Sequence, residues 1–415
     1  MDIFKMNIVP EIILKTSKVV FESQSPTINY HPQSDDKYYP SILPSKLEIR
    51  EFILEERKEE VLKLVLEKFK NGSLKYYVNT DEANKGDQKV NEKSQVNKEK
   101  FIQSVLKYFP TKAFVVKTDH TLNVLTQYDK VKEEINQLAN NQDLTNIKPG
   151  NILYYSLTTA YNVEKNVKYW ENSKKDNFFG NINIDLFGRL GFRKFETNAA
   201  YIPTPFNVLS LGTFLSNRYQ KVVNASQDSD VVNHEVGHAI LDRIRSNYID
   251  SKYHLEGAAI HEAFSDINAF LMAAMEENIE TPNNLDNPNV FSSIGEYFGK
   301  VIYTEMEIEK EILDKNPFVD IKQIEVNRPI RDLSGKVEYI PYNSLPDNKK
   351  GEHSYSLPLS TTFYRAFASY AKEVGDVKKA AQEFFKIFTY GTILSPVSPT
   401  TMPDFYKSFI VADIL

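Results

Sequence analysis

The 415-residue chain contains no cysteine and only seven histidines. The absence of cysteine excludes disulfide bonds, thiolate metal sites and a cysteine nucleophile, but indicates no compartment. Any bound metal ion must therefore be held by histidines and carboxylates. Lys5, Asn7, Pro10, Glu11 and Lys15 interrupt the apolar residues at the start of the chain, so neither a signal peptide nor a membrane span is predicted. Either the protein stays inside the cell, or it leaves by a non-standard route, or the sequence lacks its leader.

Charge of one sign is also scarce. The net charge is −6, and the lysines and arginines are dispersed, so the sequence predicts no nucleic-acid-binding surface. What the chain does have is 41% hydrophobic and 12% aromatic residues, which is enough to bury a core. At this length, two or three domains are expected.

The most informative stretch is the pentapeptide His234-Glu235-Val236-Gly237-His238. Residues four apart lie on one face of an α-helix, so His234 and His238 can offer two imidazoles to one zinc ion. Glu235 lies one position round, where its carboxylate can reach a water molecule on the ion as a general base. The alternative is a helix with two hydrogen-bonded, partly buried histidines.

The flanking residues favour a buried helix here. Ser229 is a suitable N-cap and Asp230 a favourable charge in the first turn. Gly237 is discordant, because glycine inside a helix costs roughly 1 kcal/mol relative to alanine. Its presence predicts that something passes close to the backbone.

A catalytic zinc usually has three protein ligands and one open position. The pattern HExxHxxGxxH is excluded, because Leu241 and Ile244 stand where glycine and histidine would be needed. Glu262 is the predicted third ligand. Asp266, four residues on, can accept the free ring N–H of a zinc histidine. His261 is the competing ligand, and a surface acidic pair is the alternative interpretation.

The organisation of the chain is predicted to be α+β, since strand patterns crowd ahead of the pentapeptide and helical patterns follow it. Four regions are expected: an N-terminal region 1–80, a polar linker 81–100, a sheet-containing lobe 101–230 and a helical lobe 231–415. The N-terminal region is either a pro-segment or a permanent accessory domain.

Apolar periodicity predicts several elements outside the pentapeptide. Helices are expected over 46–70, 121–140 and 154–170, and a long helical pattern covers 357–389. A short strand is expected at 113–117. Two strands are expected between 181 and 200, joined at 187–189.

Two stretches resemble the thermolysin-like zinc metallopeptidases, or gluzincins. They are Asp230-Val-Val-Asn-His-Glu-Val-Gly-His-Ala-Ile and Gly257-Ala-Ala-Ile-His-Glu-Ala-Phe-Ser-Asp. The resemblance implies a two-lobed fold with a zinc cleft between a sheet-containing and a helical lobe. It also implies that His234, His238 and Glu262 bind the zinc and that Asp266 supports a zinc histidine.

Further positions match the family pattern and carry implied roles. The resemblance makes Tyr253 and His353 donors to the oxyanion, Asp347 the residue that orients His353, and Arg331 the group that grips a substrate carbonyl. It makes Asn198 and Ala199 part of an edge strand that pairs with the substrate. Each has a simpler interpretation: packing for Tyr253, an ion pair with Asp332 for Arg331, and an exposed loop for His353.

The sequence also departs from the family. Asp230 and Glu296 match two ligands of the family's paired calcium ions, but the residues at three other such positions are not acids: Ala273, Phe291 and Ser293. We therefore expect one zinc ion and no supported double calcium site. Val9-Pro10-Glu-Ile-Ile-Leu resembles a short pro-segment, which implies a self-inhibiting N-terminal segment that occupies the cleft.

These observations predict a zinc-dependent metalloendopeptidase that hydrolyses peptide bonds in a protein or peptide substrate. Two alternatives stay open. One is an exopeptidase, for which no motif that would hold a free amine is found. The other is a non-catalytic protein that keeps the zinc site as a binding or scaffold module.

Overall fold

The structure is a computed structural model, and it describes only part of the chain. The described residues are 8–24, 46–70, 106, 109, 111–118, 123–141, 147, 151–172, 187–190, 198–203, 208–220, 222–245, 248, 255–275, 292–313, 321–335, 337–346, 350–397 and 401–414. Tyr253 and Asp347, for which roles were predicted, lie outside these residues, as does the 81–100 linker.

The strands of one mixed sheet all lie in the first half of the described chain, between four helices. Its main strands are β1 (Lys18–Gln24), β2 (Lys46–Ile53), β3 (Lys112–Thr118), β4 (Asn123–Gln127), β5 (Phe187–Leu190), β6 (Ala199–Ile202) and β7 (Val208–Leu211). They form one sheet in the order β1-β2-β3-β4-β5-β7-β6. Strand β5 runs parallel to β4 and β7, and the other neighbours are antiparallel. Strands β1 and β6 are therefore opposite edges.

Two short antiparallel pairs accompany this sheet. One joins β8 (Thr213–Leu215) to β9 (Val222–Asn224), and the other joins β10 (Ser293–Ile294) to β11 (Arg331–Asp332). The second pair brings Arg331 beside Ile294, at the start of a helix on one wall of the cleft described below.

Helices dominate the second half. The described helices are α1 (Ile8–Thr16), α2 (Leu54–Lys70), α3 (Tyr128–Asn141), α4 (Ile152–Asn172), α5 (Ser229–Ile244), α6 (Leu255–Ala274), α7 (Glu296–Leu313), α8 (Glu352–Val374), α9 (Val377–Leu394) and α10 (Met402–Ile414). Short 3-10 turns occupy Ala225–Gln227, Ile321–Gln323 and Tyr342–Ser344. The chain thus combines a sheet-rich first half with a helical second half. None of the described helices is both long and apolar enough to cross a bilayer.

The N-terminal strands belong to the same sheet as the strands of the predicted 101–230 lobe. Strand β2 pairs with β3 from Leu47 opposite Thr118 to Ile53 opposite Lys112. A small apolar core covers this junction, with Ile12 of α1, Phe52 of β2 and Val115 of β3 all fully buried. The described residues of the N-terminal region therefore share one apolar core with the sheet, which also includes Val208 of β7 and has Ile202 of β6 packed against it. A pro-segment and a permanent accessory domain both stay alternatives for residues 1–80.

Several predicted elements differ from the structure at their ends. The predicted helix 46–70 begins only at Leu54, because residues 46–53 form β2 with Leu47 and Ile49 buried at a spacing of two. Likewise, 123–127 of the predicted helix 121–140 is strand β4. The predicted junction 187–189 lies within β5 itself.

The pattern predicted over 357–389 forms two helices. Helix α8 ends where Gly375 adopts a left-handed conformation, with φ of 71°, and Asp376 then caps α9 by accepting a hydrogen bond from the Lys379 backbone N–H. Glycine tolerates this conformation without a steric penalty, so the break follows local sequence chemistry. The helix predicted at 154–170 and the strand at 113–117 are confirmed.

Helices α5 and α6 form the buried centre of the molecule. A Cβ added at Gly237 would lie 2.8 Å from the Ser265 Cα, so the two backbones approach too closely for any other side chain. The close approach predicted for Gly237 is confirmed. The predicted N-cap is wrong by one residue, because the Asp228 side chain, not Ser229, accepts hydrogen bonds from Asp230 N–H and Val231 N–H.

Candidate metal centre

Helix α5 places His234, Glu235 and His238 in the interior, with exposed fractions of 6%, 6% and 9%. The two imidazoles face one another across one helical turn, and their Nε2 atoms are 3.1 Å apart. Two ring nitrogens that converge in this way, so close to the Glu262 carboxylate, are suited to share one cation.

Glu262 of α6 completes the cluster. Its Oε1 lies 3.3 Å from the Nε2 of His238, and its Oε2 lies 3.4 Å from the Nε2 of His234. Tetrahedral zinc with bonds of about 2.0–2.1 Å requires ligand atoms roughly 3.3–3.4 Å apart. The three side chains could therefore hold a metal ion.

The remaining ring nitrogen of His234 is also bonded. Its Nδ1 lies 3.0 Å from the Oδ1 of Asp266, which is fully buried. A carboxylate on Nδ1 fixes the tautomer and leaves Nε2 directed at the cluster. Asp266 is thus placed where the sequence predicted it, and its supporting role stays a prediction.

His261 takes a different position from the one considered for a competing ligand. Its Nδ1 lies 2.6 Å from the Nδ1 of His238, on the ring edge away from the cluster. Burial, together with the nearby His238, lowers the pKa of His261 well below its usual range, so the ring is neutral at pH 7. A neutral His261 can accept the Nδ1–H of His238 and leave the Nε2 of His238 unprotonated.

Arg331 lines the cleft beside the cluster, with its Nη1 3.2 Å from the Nδ1 and 3.3 Å from the Nε2 of His234. Its guanidinium donates to Asp266 and to the Oε2 of Glu262, the latter at 2.8 Å. Burial acts against its charge, but the two carboxylates raise its pKa above the ordinary value. Arg331 therefore balances two buried acids, and it is not paired with Asp332 as the simpler interpretation proposed. Its grip on a substrate carbonyl stays a prediction.

His353 lies in the first turn of α8, and its side chain is 63% exposed. Its Nδ1 is 2.7 Å from the Oε2 of Glu262 and 2.7 Å from an Arg331 nitrogen. His353 therefore lies in a helix and contacts the cluster, although much of its ring faces solvent; it is not the exposed loop residue of the simpler interpretation. Its role as an oxyanion donor stays a prediction.

The charges in the cluster determine its protonation. Burial opposes ionisation of Glu262, but His238, His234 and His353 hold its pKa well below the usual range. Burial and Arg331 lower the pKa of His234, yet the hydrogen bonds to Asp266 and Glu262 raise it overall to about 9. The two carboxylates therefore favour the protonated form of the His234 ring, so a cation that binds there would displace a proton.

A cleft of about 920 Å³ opens onto the cluster. It is lined by His234, Glu235, His238 and Glu262 on one side and by α7 on the other. Asn198 and Ala199 line it as well, so the structure brings these predicted substrate contacts to the same cavity. Because β6 is at the end of the sheet, one side of its backbone has no described strand partner.

Three features near the site were not predicted from the sequence. A buried amide network links three helices, where Asn166 donates to Asn233 and accepts from Asn268 at 2.8 and 2.7 Å. Lys165 is partly buried near Asp230, and its Nζ donates to the Met272 carbonyl at 3.1 Å. In the cleft itself, Arg328 lies over the ring of Tyr303. Nothing in a single sequence indicates such contacts between distant residues.

Lys165 bears on the predicted calcium ligands. Burial lowers its pKa to about 7, and Asp230 opposes that shift. Asp230, one of the two acids that match calcium ligands, therefore already has a lysine nearby to balance its charge. Ala273, at another such position, is buried and apolar.

Comparisons with known proteins add little beyond this geometry. No model of a known protein family matches the chain, and no curated protein matches its sequence. Among solved structures, the chain is similar to the precursor of protealysin, a metalloproteinase from Serratia proteamaculans. The identity is 13% and the TM-score 0.38, over 61% of this chain and 71% of that chain. At that distance the likeness supports neither a fold nor an activity for this chain.

Proposed function

We propose that this protein is a zinc metallopeptidase that hydrolyses internal peptide bonds of proteins or peptides. The observation that carries the proposal is the cluster of His234, His238 and Glu262 beside an open cleft. One ligand atom from each of these residues lies within 4.8 Å of the other two. The same three residues were predicted from two separated stretches of sequence.

Zinc is the ion that this donor set favours. Two imidazole nitrogens and one carboxylate, with no thiolate in the chain, match the His₂Glu sets of catalytic zinc sites rather than the oxygen-rich sites of calcium or magnesium. A bound Zn²⁺ would polarise the substrate carbonyl and lower the pKa of a water molecule. We propose one such ion per chain.

Glu235 is the proposed general base. It lines the cleft next to both histidines and is not one of the three clustered ligands. Its carboxylate would accept a proton from the attacking water and deliver it to the leaving amine nitrogen.

The oxyanion that develops on the substrate needs donors at the cleft. His353 is proposed as one because it lies beside Glu262 and keeps an exposed ring. Tyr253 is proposed as a second on the resemblance alone. Arg331 is proposed to keep Glu262 and Asp266 in position through its hydrogen bonds and to contact a substrate carbonyl. Asp347 keeps its proposed role of orienting His353.

The substrate backbone is proposed to pair with β6. Asn198 and Ala199 line the cleft, and among the described residues β6 has no strand partner on its outer side, where its main-chain groups could hydrogen-bond a peptide. An extended peptide could add to this edge as a further strand, which places its scissile bond beside Glu235.

The variant Glu235→Gln tests the proposal most directly. We expect it to bind zinc like the wild type and to lose activity by about 10²–10⁴-fold, because the amide cannot accept the proton. Cleavage of an unstructured protein such as casein and metal analysis of the purified chain are the two measurements. Glu309→Gln, a change at an exposed position on α7, is the matched control. Undiminished cleavage by Glu235→Gln would show that the base is assigned wrongly.

The same assay separates the alternatives. A zinc chelator should stop cleavage if the enzyme depends on the ion, and a non-catalytic binding module would show no cleavage at all. Products of many lengths indicate an endopeptidase, whereas stepwise loss of terminal residues indicates an exopeptidase.

A further inference from the structure

The cleft contains two arginines three residues apart, and they differ in their partners. Arg331 is buried against Asp266, Glu262 and His353. Arg328 is exposed, and its guanidinium carbon lies 4.6 Å from the centre of the Tyr303 ring. Within the described part of the chain, Arg328 forms no ion pair. Its charge is therefore available to a molecule in the cleft.

The backbone that carries Arg328 is fixed against α7. A Cβ added at Gly299 would lie 2.5 Å from the Ile330 nitrogen and 2.8 Å from the Arg328 carbonyl oxygen. Ile330 N–H also donates to the Gly295 carbonyl at 3.3 Å, and Val326 N–H to the Thr304 hydroxyl at 2.9 Å. Residues 326–330 are thus held along the helix on both sides of Arg328.

The Tyr303 ring holds the Arg328 side chain, and with it the guanidinium charge, in one position. A guanidinium that lies over an aromatic face keeps its edge donors free, because the stacking contact uses only the face. Those donors match both oxygens of a carboxylate. Since the side chain is already oriented, a ligand would pay less of the usual entropy of ordering a long arginine.

We propose that Arg328 and Tyr303 form a subsite that binds a carboxylate of the peptide substrate. The carboxylate has two possible sources, an aspartate or glutamate side chain or a free C-terminus. The proposal rests on the proposed peptidase function and adds a substrate preference to it. Arg331 cannot supply the same contact, because its donors already serve Asp266 and Glu262.

The test uses matched peptides. One series differs only by glutamate or glutamine at each position around the cleaved bond, and a second pair differs only by a free or amidated C-terminus. We expect the wild type to prefer the carboxylate by about five-fold in kcat/KM, as for a partly exposed, bidentate ion pair. In Arg328→Gln the ratio should fall to about one, and in Arg328→Lys it should lie between.

Arg365→Gln is the control, because it removes an exposed arginine of α8 that does not line the cleft. It should keep the wild-type ratio. A preference in the glutamate series identifies the side-chain source, and a preference only for the free C-terminus identifies the terminal one. A wild-type ratio of one in both series, or an unchanged ratio in Arg328→Gln, overturns the subsite.

Binding separates failure of the subsite from failure of the peptidase proposal. Fluorescence anisotropy of the same labelled peptides with Glu235→Gln, alone and combined with Arg328→Gln, needs no turnover. If the wild type cleaves no peptide but the single variant still prefers the carboxylate form, the peptidase proposal fails and the subsite is supported. If cleavage occurs without that preference in binding or in kcat/KM, the subsite is wrong.

Discussion

The two walls of the cleft are built in different ways. The metal side comes from α5 and α6, two buried helices whose backbones touch at Gly237. The opposite side comes from α7, from the short segment that carries Arg328 and Arg331, and from the first turn of α8 with His353. Arg328 and His353 are exposed, whereas Arg331 is largely buried. Helices fix ligand atoms by their own periodicity, whereas short segments depend on contacts with distant parts of the chain. The metal side should therefore be rigid and intolerant of change, and the other side should tolerate variation in specificity.

The largest effect is expected at Glu262. Glu262→Ala removes one of three ligands and leaves Arg331 facing the two histidines with one carboxylate fewer, so we expect zinc affinity to fall by more than about 100-fold and activity to be lost. Metal analysis after dialysis measures it. Glu309→Gln serves again as control. Full zinc content in Glu262→Ala would show that the third ligand lies elsewhere.

A smaller loss is expected behind the ligands. His261→Leu removes the acceptor for the His238 Nδ1–H, and loss of such a supporting contact typically reduces metal affinity by about 10–100-fold. His261→Asn can restore an acceptor and should recover part of the loss. Competition with a chromophoric chelator gives the zinc dissociation constants. Equal zinc affinities for the wild type and His261→Leu would show that His261 does not support His238 as a metal ligand.

Gly237 tests the rigidity of the helix pair. Replacing an exposed glycine within a helix by alanine usually stabilises a protein by up to about 1 kcal/mol. At Gly237, however, the new methyl group would clash with Ser265. We therefore expect Gly237→Ala to reduce the free energy of unfolding by about 1–3 kcal/mol. Urea unfolding measures it. Gly335→Ala is the matched control, since an added Cβ there meets nothing within 4 Å. A Gly237→Ala variant as stable as the wild type would argue against the close approach.

The smallest effect on the cleft is expected from Lys165, which acts through stability. Because burial lowers its pKa to about 7 from 10.5, the unfolded chain binds more protons than the folded chain between these values. This group therefore makes unfolding free energy rise with pH above 7, by up to about 1 kcal/mol per pH unit. Below pH 7, Lys165 is protonated in both states, so its full cost to the free energy of unfolding is present and no longer changes with pH.

Lys165→Met removes this dependence, so the stability difference between variant and wild type should shrink as pH rises from 7 to 9. Urea titrations of the zinc-loaded proteins at pH 6, 7, 8 and 9 measure it. Lys168→Met, at an exposed position on the same helix, should follow the wild-type pH profile. A constant difference between Lys165→Met and the wild type would contradict the lowered pKa.

The contrast between the walls also explains what the sequence could predict. His234 and His238 were identified because their spacing is local to one helix, and Gly237 because a glycine in a helix interior needs a reason. Glu262 followed from the same periodicity. The predicted N-cap, Ser229, differs by one residue from the N-cap in the structure, Asp228, because both residue types are suitable caps.

Contacts between distant residues could not be predicted in this way. Arg328 and Tyr303 are 25 residues apart in the sequence, and only the packing of residues 326–330 along α7 brings them together. Strand β2 was missed for a related reason. Its apolar residues fit a helical pattern as well as an alternating one, and the pairing with β3 decides between them.

If the proposed peptidase binds its substrate along β6, whose outer side has no strand partner among the described residues, this pairing restricts which molecules it could cut. A partner that pairs with a strand edge must itself be extended, so compact helical or folded regions would have to unravel before they fit. Local unfolding of a target would then govern its vulnerability as much as its side chains do. On this basis, we expect disordered tails and exposed loops to be cleaved, and well-packed domains to resist cleavage.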